Sequence, residues 1–375
     1  MITVEPIDTR SRREVRRFVE VPYRLYRGHR CWVPPLRRDV AEALDRTRHP
    51  YYAHSDADFF VAVRGGRDAG RVAVLENRPF NAHHVARQAN FYFFECEADE
   101  EAAAALFERA FEWARARGLE RMVGPKGLTA VDGYGILVEG FGHRQMMTMT
   151  NYNLEYYARL LEAAGFEKEV DFVSYVLSKD TFVMSERVRR VAERVTRRGE
   201  LRVVPFSSKR ALVRRARAIG EAYNKAFVEN WEYAPLSDRE IDFLVKKLML
   251  VADPRLIKVI ASGDDLVGFL FVFPDLSAAL QRMRGRLTPW GLLDLALESR
   301  RTEWVAFNGA GILPAYQGRG GNALLYTEVE RTIRSSHFQY ADLPQVAETA
   351  MQMRRDLEEL GARPYKRHRV YGRAL

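Results

Sequence analysis

A chain of 375 residues with 47% hydrophobic and 29% charged side chains has room for two domains, and its composition is that of an ordinary globular protein. Its formal charge of +9 suits an anionic partner such as nucleic acid, an anionic membrane face or a polyphosphate cofactor, though an Arg-rich chain without such a partner carries the same excess. The two cysteines, Cys31 and Cys96, exclude a disulfide framework; His83, His84, His143 and His368 show no metal-ligand spacing, and HExxH and CxxC are absent. The start Met1-Ile2-Thr3-Val4-Glu5 lacks a signal peptide's apolar core. The longest apolar runs, such as Phe269-Leu270-Phe271-Val272-Phe273, are too short to span a bilayer. A reducing cytoplasm, extending to the inner membrane face, is the expected location.

In chain order, residues 2–6 read as a strand and Ser11–Arg27 as a helix, broken by Trp32-Val33-Pro34-Pro35. Phe59–Val63 and Gly70–Leu75 read as strands, with hairpin chemistry at Arg64-Gly65-Gly66-Arg67-Asp68 between them. A strand at Phe91–Glu95 precedes a helix at Glu100–Arg117, whose apolar residues Ala103, Leu106, Phe107, Ala110, Phe111 and Ala114 fall on one face; Gly118 ends it. Gly118–Gly140 reads as irregular. A helix at Leu154–Ala164 and a strand at Phe172–Leu177 complete this half.

The second half repeats the order. A strand at Leu201–Pro205 leads to helices at Lys209–Phe227 and Ser237–Val251, the latter with Ser237 and Glu240 spaced as a capping box. Strands at Leu256–Ala261 and Val267–Phe273 form a hairpin. Then come a strand at Glu303–Leu313, a helix at Gly320–Ser335, a short strand at Gln339–Asp342, a helix at Val346–Leu360 and a last strand at His368–Tyr371. Leu160–Phe166 is echoed by Leu357–Ala362, and Val170–Tyr175 by Lys366–Tyr371. The reading is two copies of one α/β unit, residues 1–180 and 201–375, joined by a basic connecting helix within 181–200.

One loop carries chemistry. The strand ending in Gly311-Ile312-Leu313-Pro314 runs through Ala315-Tyr316 into Gln317-Gly318-Arg319-Gly320-Gly321-Asn322-Ala323. The first amides of a helix lack internal partners, and the helix dipole adds positive potential there. Glycines let the backbone approach an anion closely, and Arg319 supplies a charged donor. No Gly-Lys-Ser/Thr follows, so this is not a Walker loop; Gly318, Gly320 and Ala323 match a loose GxGxxA, but the upstream hairpin argues against a parallel dinucleotide-binding unit.

The loop resembles the acyl-CoA loop Gln/Arg-x-x-Gly-x-Gly/Ala of the GCN5-related N-acetyltransferase (GNAT) family, and the element order of residues 201–375 resembles that fold. Asn322 departs from the pattern, standing where Gly or Ala is usual, which would narrow the cradle or shift it by one residue. The resemblance implies an α/β fold of two tandem GNAT-like units, each a mixed, mostly antiparallel sheet flanked by helices. It implies acetyl-CoA or a longer acyl-CoA as donor, held by Gly311, Ile312, Gln317, Gly318, Arg319, Gly320, Gly321, Asn322 and Ala323. It also implies a splayed strand, with Gly309 and Ala310 leaving room for the pantetheine arm. Relatives place a tyrosine acid where this chain has Leu357, so Tyr371 and Tyr365 become the substitutes. Glu303 and Glu348 are the base candidates, although a carboxylate at a helix start also suits the dipole.

The first half carries Glu95-Cys96-Glu97-Ala98-Asp99-Glu100-Glu101 where the second has its glycines. Those carboxylates would repel a CoA phosphate, so this half reads as a companion lobe. Asp275–Arg301 reads as an insert rich in Leu, with Trp290 and several arginines, suited to an anionic membrane surface, to covering a long acyl chain, or to packing as a plain lid. The layout is similar to long bacterial GNAT-like proteins, including N-acyltransferases of the bacterial ceramide synthase type. It resembles more distantly the two-lobed aminoacyl transferases that use aminoacyl-tRNA. The expected function is an acyl-CoA-dependent N-acyltransferase acting on a small-molecule or lipid amine. The alternatives are a GNAT-like pseudoenzyme that binds membrane or protein, and an aminoacyl-tRNA-dependent transferase; nucleic acid is not an expected partner, because the arginines are scattered.

Overall fold

The computed structural model describes residues 1–147, 149–228 and 233–375. In the first half, β1 (Ile2–Pro6), α1 (Arg12–Leu25) and α2 (Arg37–Ala43) precede the hairpin β2 (Asp56–Arg64) and β3 (Arg67–Glu76). Then follow α3 (Arg78–His84), β4 (Gln88–Cys96), α4 (Glu100–Arg115), β5 (Arg121–Gly124), β6 (Ile136–Glu139), α5 (Tyr157–Ala163) and β7 (Glu167–Ser178). The connector is α6 (Glu186–Arg198). The second half runs β8 (Arg202–Val204), α7 (Lys209–Phe227), α8 (Asp238–Val251), β9 (Lys258–Ser262), β10 (Asp265–Pro274), α9 (Ser277–Met283) and α10 (Pro289–Arg301). It closes with β11 (Trp304–Ile312), α11 (Gly321–Arg334), β12 (Tyr340–Ala347), α12 (Met351–Glu359) and β13 (Arg363–Ala374).

Successive side chains of a strand point to opposite faces, and in β2 both faces are apolar. On β2, Ala57, Phe59 and Val61 pack towards α1 and α2, while Phe60 and Ala62 pack towards α4. Helix α4 is closed at its start by Asp99, whose side chain accepts from the Ala102 N–H, and it buries Leu106, Phe107, Ala110 and Phe111 on one stripe. The capping box at Ser237 and Glu240 forms as the spacing predicts.

The strands form one continuous sheet in the order β1-β2-β3-β4-β5-β13-β7-β12-β11-β10-β9-β8, with β6 also paired to β13. The two halves exchange their last strands. β13 lies against β5 of the first half, from Tyr371↔Gly124 to Ala374↔Arg121, and along its other edge against β7. β7 in turn pairs with β12 of the second half, from Tyr340↔Ser178 to Ala347↔Phe172. Neither half therefore completes its sheet alone.

Two local readings change. β12 extends to Ala347 and the next helix starts at Met351, where the pattern predicted a short strand at Gln339–Asp342 and a helix from Val346. The helix-compatible stretch Val346-Ala347 is held extended by pairing with Val173 and Phe172 of β7. Residues 118–140 contain β5 and β6, each supported by β13 from the far end of the chain.

Candidate functional site

The glycine loop closes where the sequence places it. Gly318 and Gly320 have φ of +73° and +85°, a left-handed backbone that glycine adopts without strain, and Gly320 is the N-cap of α11. The first helical bond runs from the Leu324 N–H to the Gly320 carbonyl (3.2 Å), leaving the amides before it without intrahelical acceptors. A Cβ on Gly321 would lie 2.9 Å from Ile260 Cδ1 and 3.0 Å from Ile312 Cδ1, so this glycine lets α11 seat on the sheet. A Cβ on Gly320 would meet Val195 and Val191 of α6 at 2.7 and 2.8 Å; the connector helix thus forms a wall of the loop. Among the described residues Arg319 has no carboxylate partner; its guanidinium carbon lies 5.1 Å from the Tyr316 ring centre. Asn322 is exposed at the helix rim, whereas Ala323 is buried.

Next to this loop the sheet opens. β11 and β12 are parallel and paired only at Trp304↔Tyr340, Val305↔Ala341 and Ala306↔Asp342. A bulge follows, since Phe307 opposes Val272 but Gly309 opposes Phe271, leaving Asn308 as the extra residue. Beyond it, Phe307, Asn308, Gly309 and Ala310 border a cavity of about 1730 Å³ between the halves. Tyr92, Lys126, Asp132 and Tyr134 face it from the first half, and Tyr223, Phe271 and Tyr326 from the second. Burial pushes the Asp132 carboxyl up and the Lys126 ammonium down to about 7. His54 and Glu240, one from each half, approach to 3.2 Å at the cavity wall. Unpaired amides, an uncommitted arginine and an open strand edge in sequence fit a phosphate-bearing ligand with an extended arm.

The first half has the same splay with its anion position filled from within. β4 and β5 pair at Gln88↔Arg121 to Asn90↔Val123 and then part. Glu95, in this gap, accepts from the Tyr26 hydroxyl (2.6 Å) and the Tyr157 hydroxyl (2.8 Å), with Arg71 at 3.9 Å. Desolvation pushes the Glu95 carboxyl up, opposed by Arg71 and the two hydroxyls. At the helix start, Asp99 is gripped twice by Arg64 (2.6 and 2.9 Å), and Glu97 pairs with Arg67 and Arg24.

The candidate acid and base residues do not converge on the opened strand. Tyr371 lies in the apolar core of the first half and donates to Glu162 (3.0 Å), because the strand exchange carries β13 away from the glycine loop. Glu303 is exposed and borders a separate hollow of about 500 Å³. Glu348 borders the large cavity, but it precedes α12 rather than opening it, and its carboxylate is held by Lys168 (2.8 Å) and the Asp171 N–H (3.1 Å). Tyr365 donates to the buried Asp342 (2.6 Å). Leu357 packs with Val173, Tyr175 and Val346. Asp132, His54 and Gln345 carry no signal in the sequence, and Glu240 is legible there only as a helix cap; the four come from separate parts of the chain, which no local spacing joins.

No family model matches the chain. Bacterial ceramide synthase from Caulobacter vibrioides (strain NA1000 / CB15N) is 26% identical over 381 residues, covering 100% of this chain and 98% of that protein. A solved tandem GNAT protein from the clavulanic acid biosynthesis pathway superposes with a TM-score of 0.56 at 15% identity, covering 100% of this chain and 98% of the other. The chain has a tandem GNAT fold. A GCN5-related N-acetyltransferase from Sphaerobacter thermophilus agrees, with a TM-score of 0.52 at 13% identity over 100% of this chain and 95% of its own. Within this fold the bulged strand borders the inter-lobe cavity at Phe307–Ala310 and leads on through Ile312 to the glycine loop. Among the described residues no helix is long and apolar enough to cross a membrane.

Proposed function

We propose that this GNAT protein is an acyl-CoA-dependent N-acyltransferase whose donor lies on the second lobe and whose amine acceptor occupies the cavity between lobes. The observation that carries this reading is that β11, whose edge is open beyond Ala306, borders that cavity at Phe307–Ala310 and runs on through Ile312 to the amide cradle at α11. In this reading the amides of residues 318–323 and Arg319 hold the pyrophosphate, and Gln317 stands at the cradle's edge, its amide 3.3 Å from the Ile312 carbonyl. The backbone of 307–312 pairs with the pantetheine arm. The thioester supplies an activated acyl group. The neutral amine attacks its carbonyl carbon, the C–S bond breaks, CoA leaves as thiolate, and the amine proton passes to solvent or a cavity base.

A lipid amine is the favoured acceptor. The cavity exceeds the roughly 300–1,000 Å³ of ordinary small-molecule pockets. It runs out to α10, where Leu292 both borders the cavity and stands exposed beside Trp290, Leu293 and Leu297. Arg284, Arg286, Arg300 and Arg301 are exposed around this face, which suits peripheral contact with an anionic membrane. The full-length similarity to a ceramide synthase points the same way.

The test is calorimetric binding of acetyl-CoA and palmitoyl-CoA, followed by release of free CoA thiol on adding a long-chain primary amine. Arg319→Glu is the informative variant: the side chain is exposed, so the fold should survive, whereas Gly320→Glu would collide with α6. Binding by wild type, its loss in the variant, and amine-dependent thiol release are expected. Binding without turnover of any amine would instead leave a binding module, and absence of binding would sink the reading.

A further inference from the structure

Gln345 is difficult to explain as a residue chosen for the fold. It lies in β12 where the ladder to β7 breaks: Leu343 pairs with Tyr175 and Val346 with Val173, leaving Pro344 and Gln345 as a bulge. Its φ is +57°, a left-handed conformation that glycine or asparagine adopts more readily. Both ends of its carboxamide, Oε1 and Nε2, are screened from solvent and have no protein partner. Strained backbone and unanswered polar atoms both act against stability, and such combinations persist where a ligand uses them.

The surroundings indicate which ligand. Gln345 borders the inter-lobe cavity, on the strand from which β11 splays away at Ala306. Its neighbours along that wall, Leu343, Pro344, Val346 and Ala347, are apolar. Of the nearby carboxylates, Glu348 is held by Lys168, and Asp342, which accepts from Tyr365 through Oδ1, is not part of the cavity lining. A carboxamide offers one acceptor and one donor end without charge. It can hold a neutral amine, whereas a free carboxylate would favour the unreactive ammonium.

Resting on the acyltransferase reading above, we propose that Gln345 is the specificity-determining residue for the acceptor's head group. Oε1 accepts an N–H of the neutral amine, and Nε2 donates to a second polar atom of the same head.

The experiment is steady-state kinetics with palmitoyl-CoA and two probes, a long-chain primary alkylamine and a long-chain amino alcohol, for wild type, Gln345→Leu, Gln345→Asn and Gln345→Gly. In Gln345→Leu, kcat/KM for the amino alcohol should fall by roughly tenfold to hundredfold, the size expected for unanswered hydrogen bonds in a buried site. The loss should be smaller for the alkylamine, which uses one end only. The Kd for palmitoyl-CoA should stay within about twofold, because such binding differences follow lost contacts and none is lost there. Gln345→Gly should melt no lower than wild type, since glycine relieves the φ, yet show the same kinetic loss. Gln345→Asn should retain part of the discrimination. Unchanged amine kinetics in Gln345→Leu, or full activity in Gln345→Gly, overturns the assignment while leaving the acyltransferase reading intact. A wild type that binds neither thioester overturns both.

Discussion

The two helix-opening loops, Glu95–Glu101 and Gln317–Ala323, occupy equivalent places in the two lobes and solve the same electrostatic problem in opposite ways. Each follows a bulged strand that has parted from its parallel neighbour. In the first lobe the positive end of α4 is satisfied by Asp99, and the gap behind it is filled by Glu95 with Tyr26, Tyr157 and Arg71. In the second, glycines leave the end of α11 open, and Arg319 stands beside it. The first lobe thus carries its own carboxylates at this position, whereas the second carries glycines and an arginine there. A fold can keep its shape while a few side chains decide whether it has a ligand site.

That contrast is breakable at several points. The largest effect is expected for Glu95→Ala, which leaves Arg71 buried without its counter-charge and two tyrosines without their acceptor. Loss of one member of a buried pair costs about 3–5 kcal/mol, read as a lower denaturation midpoint, with palmitoyl-CoA affinity unchanged where the variant remains folded. Retained stability would show that the first lobe's gap is not held by this group.

The contact between the lobes should fail in acid. Burial lowers His368, bonded to the Asn151 carbonyl, to about 4, and His49, packed on Phe243 of the other half, also to about 4. A folded-state pKa below the unfolded value near 6.5 means that the unfolded chain binds the extra proton first. Stability is therefore level above pH 6.5 and falls between about 6.5 and 4, by up to about 3 kcal/mol for each imidazole. His368→Gln should flatten this fall in pH-dependent melting; an unaltered slope would remove His368 as its source.

Arg319→Glu should raise the Kd for palmitoyl-CoA by about a hundredfold, the equivalent of about 2.7 kcal/mol, with little change in melting temperature. An equal loss from a charge reversal at Arg64 in the first lobe would erase the distinction between the loops. The smallest effect is expected for Asp99→Ala, which removes the α4 cap at about 1 kcal/mol and leaves thioester binding untouched.

How far the sequence could be read followed the range of the interactions. The loop was legible because helix start, glycines and arginine fall within a few consecutive residues, and the element order was legible because hydrophobic periodicity is local. Tyr371 stands near Leu357 in the chain and so substitutes for the missing tyrosine acid in sequence, yet β13 crosses to the other lobe. Glu348 was placed at a helix start that pairing with β7 delays to Met351. Gln345 gave no signal, because a positive φ and an unanswered carboxamide exist only once β12 is bulged against β7.

By itself, then, the sequence determined the units of this protein: a repeated α/β element order, one helix-opening loop rich in glycine and one rich in carboxylates. Backbone propensity, capping and glycine freedom act over a few residues, so these features need no knowledge of the rest of the chain. Only the tertiary structure decided which strands exchange, what encloses the cavity and which polar groups face it. Strand pairing joins residues as distant as Arg121 and Ala374, and a cavity is a property of the surfaces that such pairing brings together.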